Sequence, residues 1–131
     1  MAYLQAYEGR STFGESIELI LRCKDGYGAL WIDWASYLGS DNPKVTWRID
    51  DSSPRSTKWG ISTDSTATFY EGRNVAGTPL GVFIQQLVAA DRFVAQVTPY
   101  NENPVTAVFA LTGMEETALQ VFAECPPYPS P

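Results

Sequence analysis

Apolar and polar residues alternate along most of this chain, and this period of two constrains the fold more than any other feature of the sequence. Within residues 17–23, Ile17, Leu19 and Leu21 fall on one face and Glu18 falls on the other. Such alternation is typical of strands that pack one face on a core and expose the other. Further runs lie at residues 30–34, 44–50, 59–61, 67–69, 93–97 and 105–111, with a weaker one at residues 2–8.

Two segments instead have the 3.6-residue period of amphipathic helices. Thr78 is a suitable N-cap for the first helix, with Pro79 at the first helical position. The second helix is expected to begin at Thr112, because Thr112 and Glu115 match the S/T-x-x-E capping box. The apolar positions are Leu80, Phe83, Ile84, Leu87 and Val88 in the first helix and Ala118, Val121, Phe122 and Cys125 in the second.

These patterns predict one α+β domain over residues 1–125: a mainly antiparallel β-sheet or small sandwich of seven to eight strands with two packed α-helices. A length of 131 residues fits one domain. Residues 126–131 contain four prolines and are predicted to form a proline-rich C-terminal tail. The expected core comprises Leu19, Leu21, Ile32, Trp34, Val45, Trp47, Ile49, Phe69, Phe83, Leu87, Val97, Phe109 and Phe122.

The two cysteines lie on apolar faces, Cys23 on a strand and Cys125 on the last helix. If that helix packs on the sheet, the two can form a disulfide. Such a bond would close a loop of about 100 residues and contribute roughly 4–5 kcal/mol on the chain-entropy model. Two separate buried thiols are the alternative, and the redox compartment decides between them.

The chain contains no histidine, which excludes Ser-His-Asp and Cys-His catalysis and histidine metal sites. We therefore expect no enzyme activity, metal or cofactor. A carboxylate-dependent glycan hydrolase stays as a second alternative, since such enzymes need only two carboxyl groups across a cleft. The acidic pairs at residues 50–51 and 115–116 already have structural explanations, at a strand end and a helix start.

Nine basic residues stand against fifteen acidic ones, for a net charge of −6. Phosphate backbones and anionic membrane surfaces repel such a chain, so we expect a protein partner and no nucleic acid. No apolar run approaches the roughly 18 residues that a membrane helix needs, so no membrane insertion is expected. The exception to the acidic balance is residues 44–58, with four basic residues against two acidic ones.

The candidate partner-binding residues are Trp31, Arg55, Lys58 and Trp59. Trp31 has the opposite strand parity to the apolar positions, and the other three belong to the basic stretch or border it. Arg48 is expected instead to form a structural ion pair with Asp50 or Asp64, so that Arg48→Ala destabilises the fold. The domain is expected to be a monomer or a small homo-oligomer.

Several motifs occur in an order that resembles the VasI-type accessory proteins of type VI secretion clusters and prophages. They are Leu21-Arg22-Cys23-Lys24, Leu30-Trp31-Ile32-Asp33-Trp34, Val45-Thr46-Trp47-Arg48-Ile49-Asp50 and Val97-Thr98-Pro99-Tyr100. The likeness covers about residues 17–125 and implies an exported, non-catalytic envelope protein with a poorly defined molecular role. Together with the missing catalytic constellation, it leads us to expect a non-catalytic accessory module that acts by protein contact. It supplies no catalytic residues.

Residues 1–14 lack the basic and apolar regions of a signal peptide. This predicts a cytoplasmic protein, or a periplasmic or envelope protein if Met1 replaces a removed signal. A cytoplasmic address favours the first alternative function, a phage- or mobile-element-encoded protein. Such a protein would be an inhibitor of a host defence or nucleic-acid enzyme, or a small virion component.

Overall fold

The computed structural model describes residues 1–39, 43–70 and 79–125. The strands are β1 (Ala2–Arg10), β2 (Ser16–Lys24), β3 (Tyr27–Asp33), β4 (Lys44–Ile49), β5 (Arg55–Lys58), β6 (Gly60–Ile61), β7 (Ala67–Phe69), β8 (Arg92–Val97) and β9 (Val105–Ala110). The helices are α1 (Leu80–Val88) and α2 (Met114–Val121). Together they confirm the α+β class, with nine strands in the described ranges instead of the seven or eight expected.

All strands belong to one antiparallel sheet in the order β5-β4-β8-β9-β1-β2-β3-β7-β6. Its two edge strands, β5 and β6, are consecutive in the chain, with only Trp59 between them. The sheet therefore curls until its two edges meet at Trp59. The Trp59 backbone N–H donates to the Pro43 carbonyl oxygen at 3.0 Å, next to the start of β4.

The inner face of the curled sheet carries the core, and both helices pack against it. Aromatic rings concentrate around Phe83 of α1, which stacks on Tyr70 at 4.2 Å between ring centroids. Trp47, Trp59 and Phe93 surround the Phe83 ring edge-to-face at 6.0, 6.4 and 5.9 Å. Interlocked rings of this kind are worth about 0.5–1.5 kcal/mol a pair beyond their burial. Helix α1 is therefore held mainly by the aromatic cluster.

The predicted core is confirmed at every position except Ile49 and Phe69, which are only half-buried. Phe69 has the opposite parity to Thr68, whose buried hydroxyl accepts a hydrogen bond from the Trp34 indole N–H at 3.0 Å. The expectation that Phe69 belongs to the core is therefore wrong, since Thr68 occupies the inner face of this short run. A run of three residues contains too few positions to establish parity.

Both predicted helices are present, but their expected caps are not the observed ones. The second helix begins at Met114 and not at Thr112, and Gly113 precedes it at φ 79° with no side-chain cap. Gly113 occupies the N-cap position in a left-handed conformation, which places Thr112 one residue before the cap. The predicted capping box of Thr112 and Glu115 is therefore wrong. The first helix begins at Leu80 with Pro79 at the N-cap, so the expectation that Pro79 is the first helical residue is wrong. Thr78 lies outside the described residues, as does the tail at residues 126–131.

Candidate interaction surface

The β4–β5 hairpin presents three of the four cations of the basic stretch on the outer face of the sheet. Val45 and Trp47 of β4 point inward and are buried, so Lys44, Thr46 and Arg48 point outward. Lys44 lies directly opposite Lys58 of β5 in the strand register. Like charges in this arrangement repel each other, and an anion placed between them would relieve the repulsion. We call Lys44, Arg48, Arg55 and Lys58 the basic patch.

Arg55 occupies the inward-facing edge of the same hairpin, where its guanidinium lies over the Trp47 ring at 5.6 Å. Trp47 is buried and its position is set by the core, so the stacked guanidinium has a defined place. Trp47, Arg48, Ser52, Arg55 and Gln86 line a shallow cleft of about 320 Å³ at this end of the hairpin. Two cations of the patch therefore border one concave surface.

The acidic residues of the hairpin are engaged elsewhere. The Asp50 carboxylate accepts hydrogen bonds from the backbone N–H groups of Asp91 and Arg92, at 3.0 and 2.9 Å. Asp51 pairs with the Arg92 guanidinium at 3.5 Å, which is the one ion pair within the ranges that the structure describes. The four cations of the basic patch therefore have no carboxylate partner within those ranges.

The ion pair expected of Arg48 is accordingly not found in the described part of the chain. Asp50 caps backbone donors, and Asp64 accepts hydrogen bonds from the Ser62 and Thr66 hydroxyls at 2.7 and 2.8 Å. These bonds, led by the one from Ser62, lower the pKa of Asp64. Backbone donors at the start of β8 satisfy Asp50, and a local turn satisfies Asp64, so both carboxylates have partners other than Arg48. Sequence spacing cannot distinguish an ion pair with Arg48 from these hydrogen bonds, because either arrangement places the carboxylate beside a loop.

Trp59 was expected at the binding surface, and the structure corrects this: its side chain is 0% exposed. It joins the two sheet edges and packs edge-to-face on Trp47 at 5.8 Å. The alternating pattern at residues 59–61 gave no sign of this role, because the meeting of β5 and β6 depends on the closure of the whole sheet. Arg55 and Lys58 are exposed, as a binding role requires.

Trp31 lies on the outer face, as its parity indicated, and is half-buried by its neighbours. It stacks on Phe69 at 5.1 Å, and the Arg22 guanidinium lies over its ring at 4.9 Å. Sequence reasoning placed Trp31 but missed Phe69 and Arg22, since the pairing of β3 with β7 brings them together. Trp31 and the outward-facing cations Lys44, Arg48 and Lys58 therefore belong to separate strands of the same outer face.

Cys23 and Cys125 form a disulfide, with their Cα atoms 5.8 Å apart. It ties the segment after α2 to the end of β2, 102 residues earlier in the chain. In the described ranges, no cluster of three or more histidine, cysteine or acidic residues could hold a metal ion. Neither described helix has the length and apolarity to cross a membrane.

Comparisons of the chain with protein-family models, curated proteins and solved structures give no match. The fold and the geometry of the basic patch therefore carry the functional argument.

Proposed function

We propose that this protein is a non-catalytic binding module that holds an acidic segment of a partner protein on its basic patch. The observation that supports this most directly is the set of four cations that have no carboxylate partner in the described ranges, on a chain of net charge −6. Lys44 and Lys58 are exposed and repel each other across the hairpin, whereas the rest of the chain is acidic. A local positive field on a negative protein orients an acidic partner as it approaches.

The geometry gives the lysines and Arg55 of the basic patch different roles in binding. Lys44 and Lys58 extend into solvent, so they would mainly accelerate association. Arg55, fixed on the Trp47 ring and bordering the cleft, can hold a carboxylate in a bidentate geometry and would slow dissociation. The resemblance to VasI-type accessory proteins, which implies a non-catalytic protein, agrees with a binding role.

The test uses an acidic peptide, a run of aspartate and glutamate around one leucine, and its glutamine and asparagine analogue. The acidic peptide should shift the amide resonances of residues 44–58, and the neutral analogue should not. Lys44→Glu/Lys58→Glu should weaken binding by about tenfold or more. Arg10→Glu/Lys24→Glu is the matched control, because it changes the net charge equally at exposed residues outside the hairpin.

Equal binding by both double variants would contradict the proposal, and so would shifts centred outside the hairpin. An inhibitor that uses its acidic surface, as in the phage-encoded alternative, predicts the opposite pattern. A basic peptide would then bind, and charge reversal at Glu102 or Glu116 would weaken that binding.

A further inference from the structure

A second outer surface lies on β1, β2, β3 and β7, away from the basic patch. The strand register places Tyr3 opposite Ile20, Ile20 opposite Trp31 and Trp31 opposite Phe69. These four residues form one line across four strands, which we call the apolar row. Tyr3 is 60% exposed, Trp31 and Phe69 are half-buried, and Ile20 between them is only 4% exposed, so the three aromatic rings provide the accessible part of the row.

Charges flank the apolar row asymmetrically. On one side Arg22 lies two residues beyond Ile20, and its Nε is buried without a hydrogen-bond partner among the described residues. On the other side Glu18 lies two residues before Ile20, directly opposite Asp33. Two carboxylates at opposing positions repel each other, and in the described ranges neither forms an ion pair. On one side of the row Arg22 therefore needs a hydrogen-bond acceptor, while on the other side Glu18 and Asp33 need a cation.

We propose that this face pairs with the same face of a second copy of the chain, around a two-fold axis that runs along the apolar row. The two-fold rotation places each strand of one copy over the same strand of the other. It also reverses the direction along the strands, so each side of one row faces the opposite side of the other. Arg22 of each copy then lies over Glu18 of the other, beside Asp33, and the aromatic rings of the two apolar rows meet at the centre. A two-fold interface requires a self-complementary surface, and this face has one.

The size of the face sets the strength of the contact. Four strands about 4.8 Å apart and three residue positions along each strand give a surface of about 14 Å by 14 Å. This is small beside the roughly 800 Å² per partner of a stable interface, so the dimer should be weak, with a Kd of about 10–1000 µM. A weak, reversible dimer is the expected state.

The first measurement is sedimentation equilibrium of the full chain from about 10 µM to about 1 mM, which brackets that range. A reversible monomer–dimer equilibrium is expected. A monomer throughout, or association that continues beyond a dimer, would overturn the proposal. Continued association is the signature of a contact between two different surfaces, for example the Lys44–Lys58 pair against Glu18 and Asp33.

Variants that reverse the charge of Arg22 or Glu18 test the proposed geometry of the dimer. Arg22→Glu and Glu18→Arg should each weaken the dimer by about tenfold or more, because each creates two like-charge contacts by symmetry. An equimolar mixture of the two variants should form a heterodimer, since every Arg22–Glu18 contact is then between opposite charges. The double variant R22E/E18R should dimerise again. Glu102→Arg, in the β8–β9 loop and outside both the face and the basic patch, should dimerise as the unchanged chain does.

The mixture of the two variants distinguishes a lost contact from a folding defect, because only folded variants can form the heterodimer. Arg22→Glu removes a cation from the Trp31 ring, so its fold is checked by circular dichroism and thermal melting before association is measured. Two folded variants that stay monomeric when mixed would overturn the proposal. Retention of the dimer in both single variants, or its loss in Glu102→Arg, would do the same.

Discussion

Gly9 of β1 lies so close to Thr106 of β9 that a Cβ atom at residue 9 would be 2.0 Å from the Thr106 carbonyl oxygen. Gly9 has φ +95°, a conformation that side chains disfavour. At the same place β1 changes register with β2, between Gln5 and Arg10, and pairs with β9. One glycine therefore allows β1 to connect the two halves of the sheet.

Gly9→Ala should destabilise the protein by about 2–4 kcal/mol, because the new methyl group collides with backbone that cannot retreat. Gly14→Ala is the matched control: Gly14 also has positive φ, +82°, but a Cβ there meets nothing within 4 Å. Its cost should be limited to conformational strain, about 1 kcal/mol. Urea denaturation of the two variants measures the difference, and equal losses would show that the close approach to Thr106 is not what requires glycine.

The contact between Gly9 and Thr106 is one of the features that the sequence does not predict. Alternation predicted the strands of the core, since hydrophobic periodicity is a local signal. It gave residues 2–8 only a weak strand, although β1 lies at the centre of the sheet, and it missed β5, whose residues Arg55–Lys58 contain no apolar position. The basic patch could be predicted from charge alone. The apolar row could not, because the pairings of β1 with β2 and of β3 with β7 bring it together.

Removal of the Cys23–Cys125 disulfide should lower the free energy of unfolding by about 4–5 kcal/mol, because the bond closes a loop of roughly 100 residues in the unfolded chain. Urea midpoints with and without reductant measure this, with the Cys23→Ser/Cys125→Ser variant as control, which should not respond to reductant. Alkylation followed by intact mass checks the bond itself. Two labels added without reductant, on protein made in an oxidising compartment, would contradict it.

Thr68→Val should cost about 1–3 kcal/mol, because the variant keeps the shape of the side chain but leaves the buried Trp34 indole N–H without its acceptor. Thr46→Val makes the same change on the outer face, where the hydroxyl bonds Ser56 in contact with solvent. That variant should stay within about 0.5 kcal/mol of the parent. Thermal melting compares the two, and a neutral Thr68→Val would show that the buried hydrogen bond contributes no net stability.

The turn at Asp64 should make stability depend on acid pH. Hydrogen bonds from Ser62 and Thr66 lower the pKa of Asp64 in the folded state, so its ionised form stabilises the fold above the unfolded pKa of about 3.9. That contribution disappears as the pH falls through the folded pKa, and Asp64→Asn should lack it. Thr66→Val, which removes one hydroxyl donor, should raise the pKa of Asp64 as measured by carbon-13 NMR. An unchanged titration would refute the assigned cause.

Arg48 and Arg55 should contribute to stability in the reverse of the order that the sequence suggests. Arg48 was expected to stabilise the fold through an ion pair, but within the described ranges it has none, so Arg48→Ala should change the free energy of unfolding by no more than about 0.5 kcal/mol. Arg55 lies over the Trp47 ring, and Arg55→Ala should cost about 0.5–1 kcal/mol. Lys58→Ala serves as the control, because Lys58 is exposed and makes no such contact. Chemical denaturation of the three variants decides the order, and a larger loss in Arg48→Ala than in Arg55→Ala would restore the ion-pair interpretation.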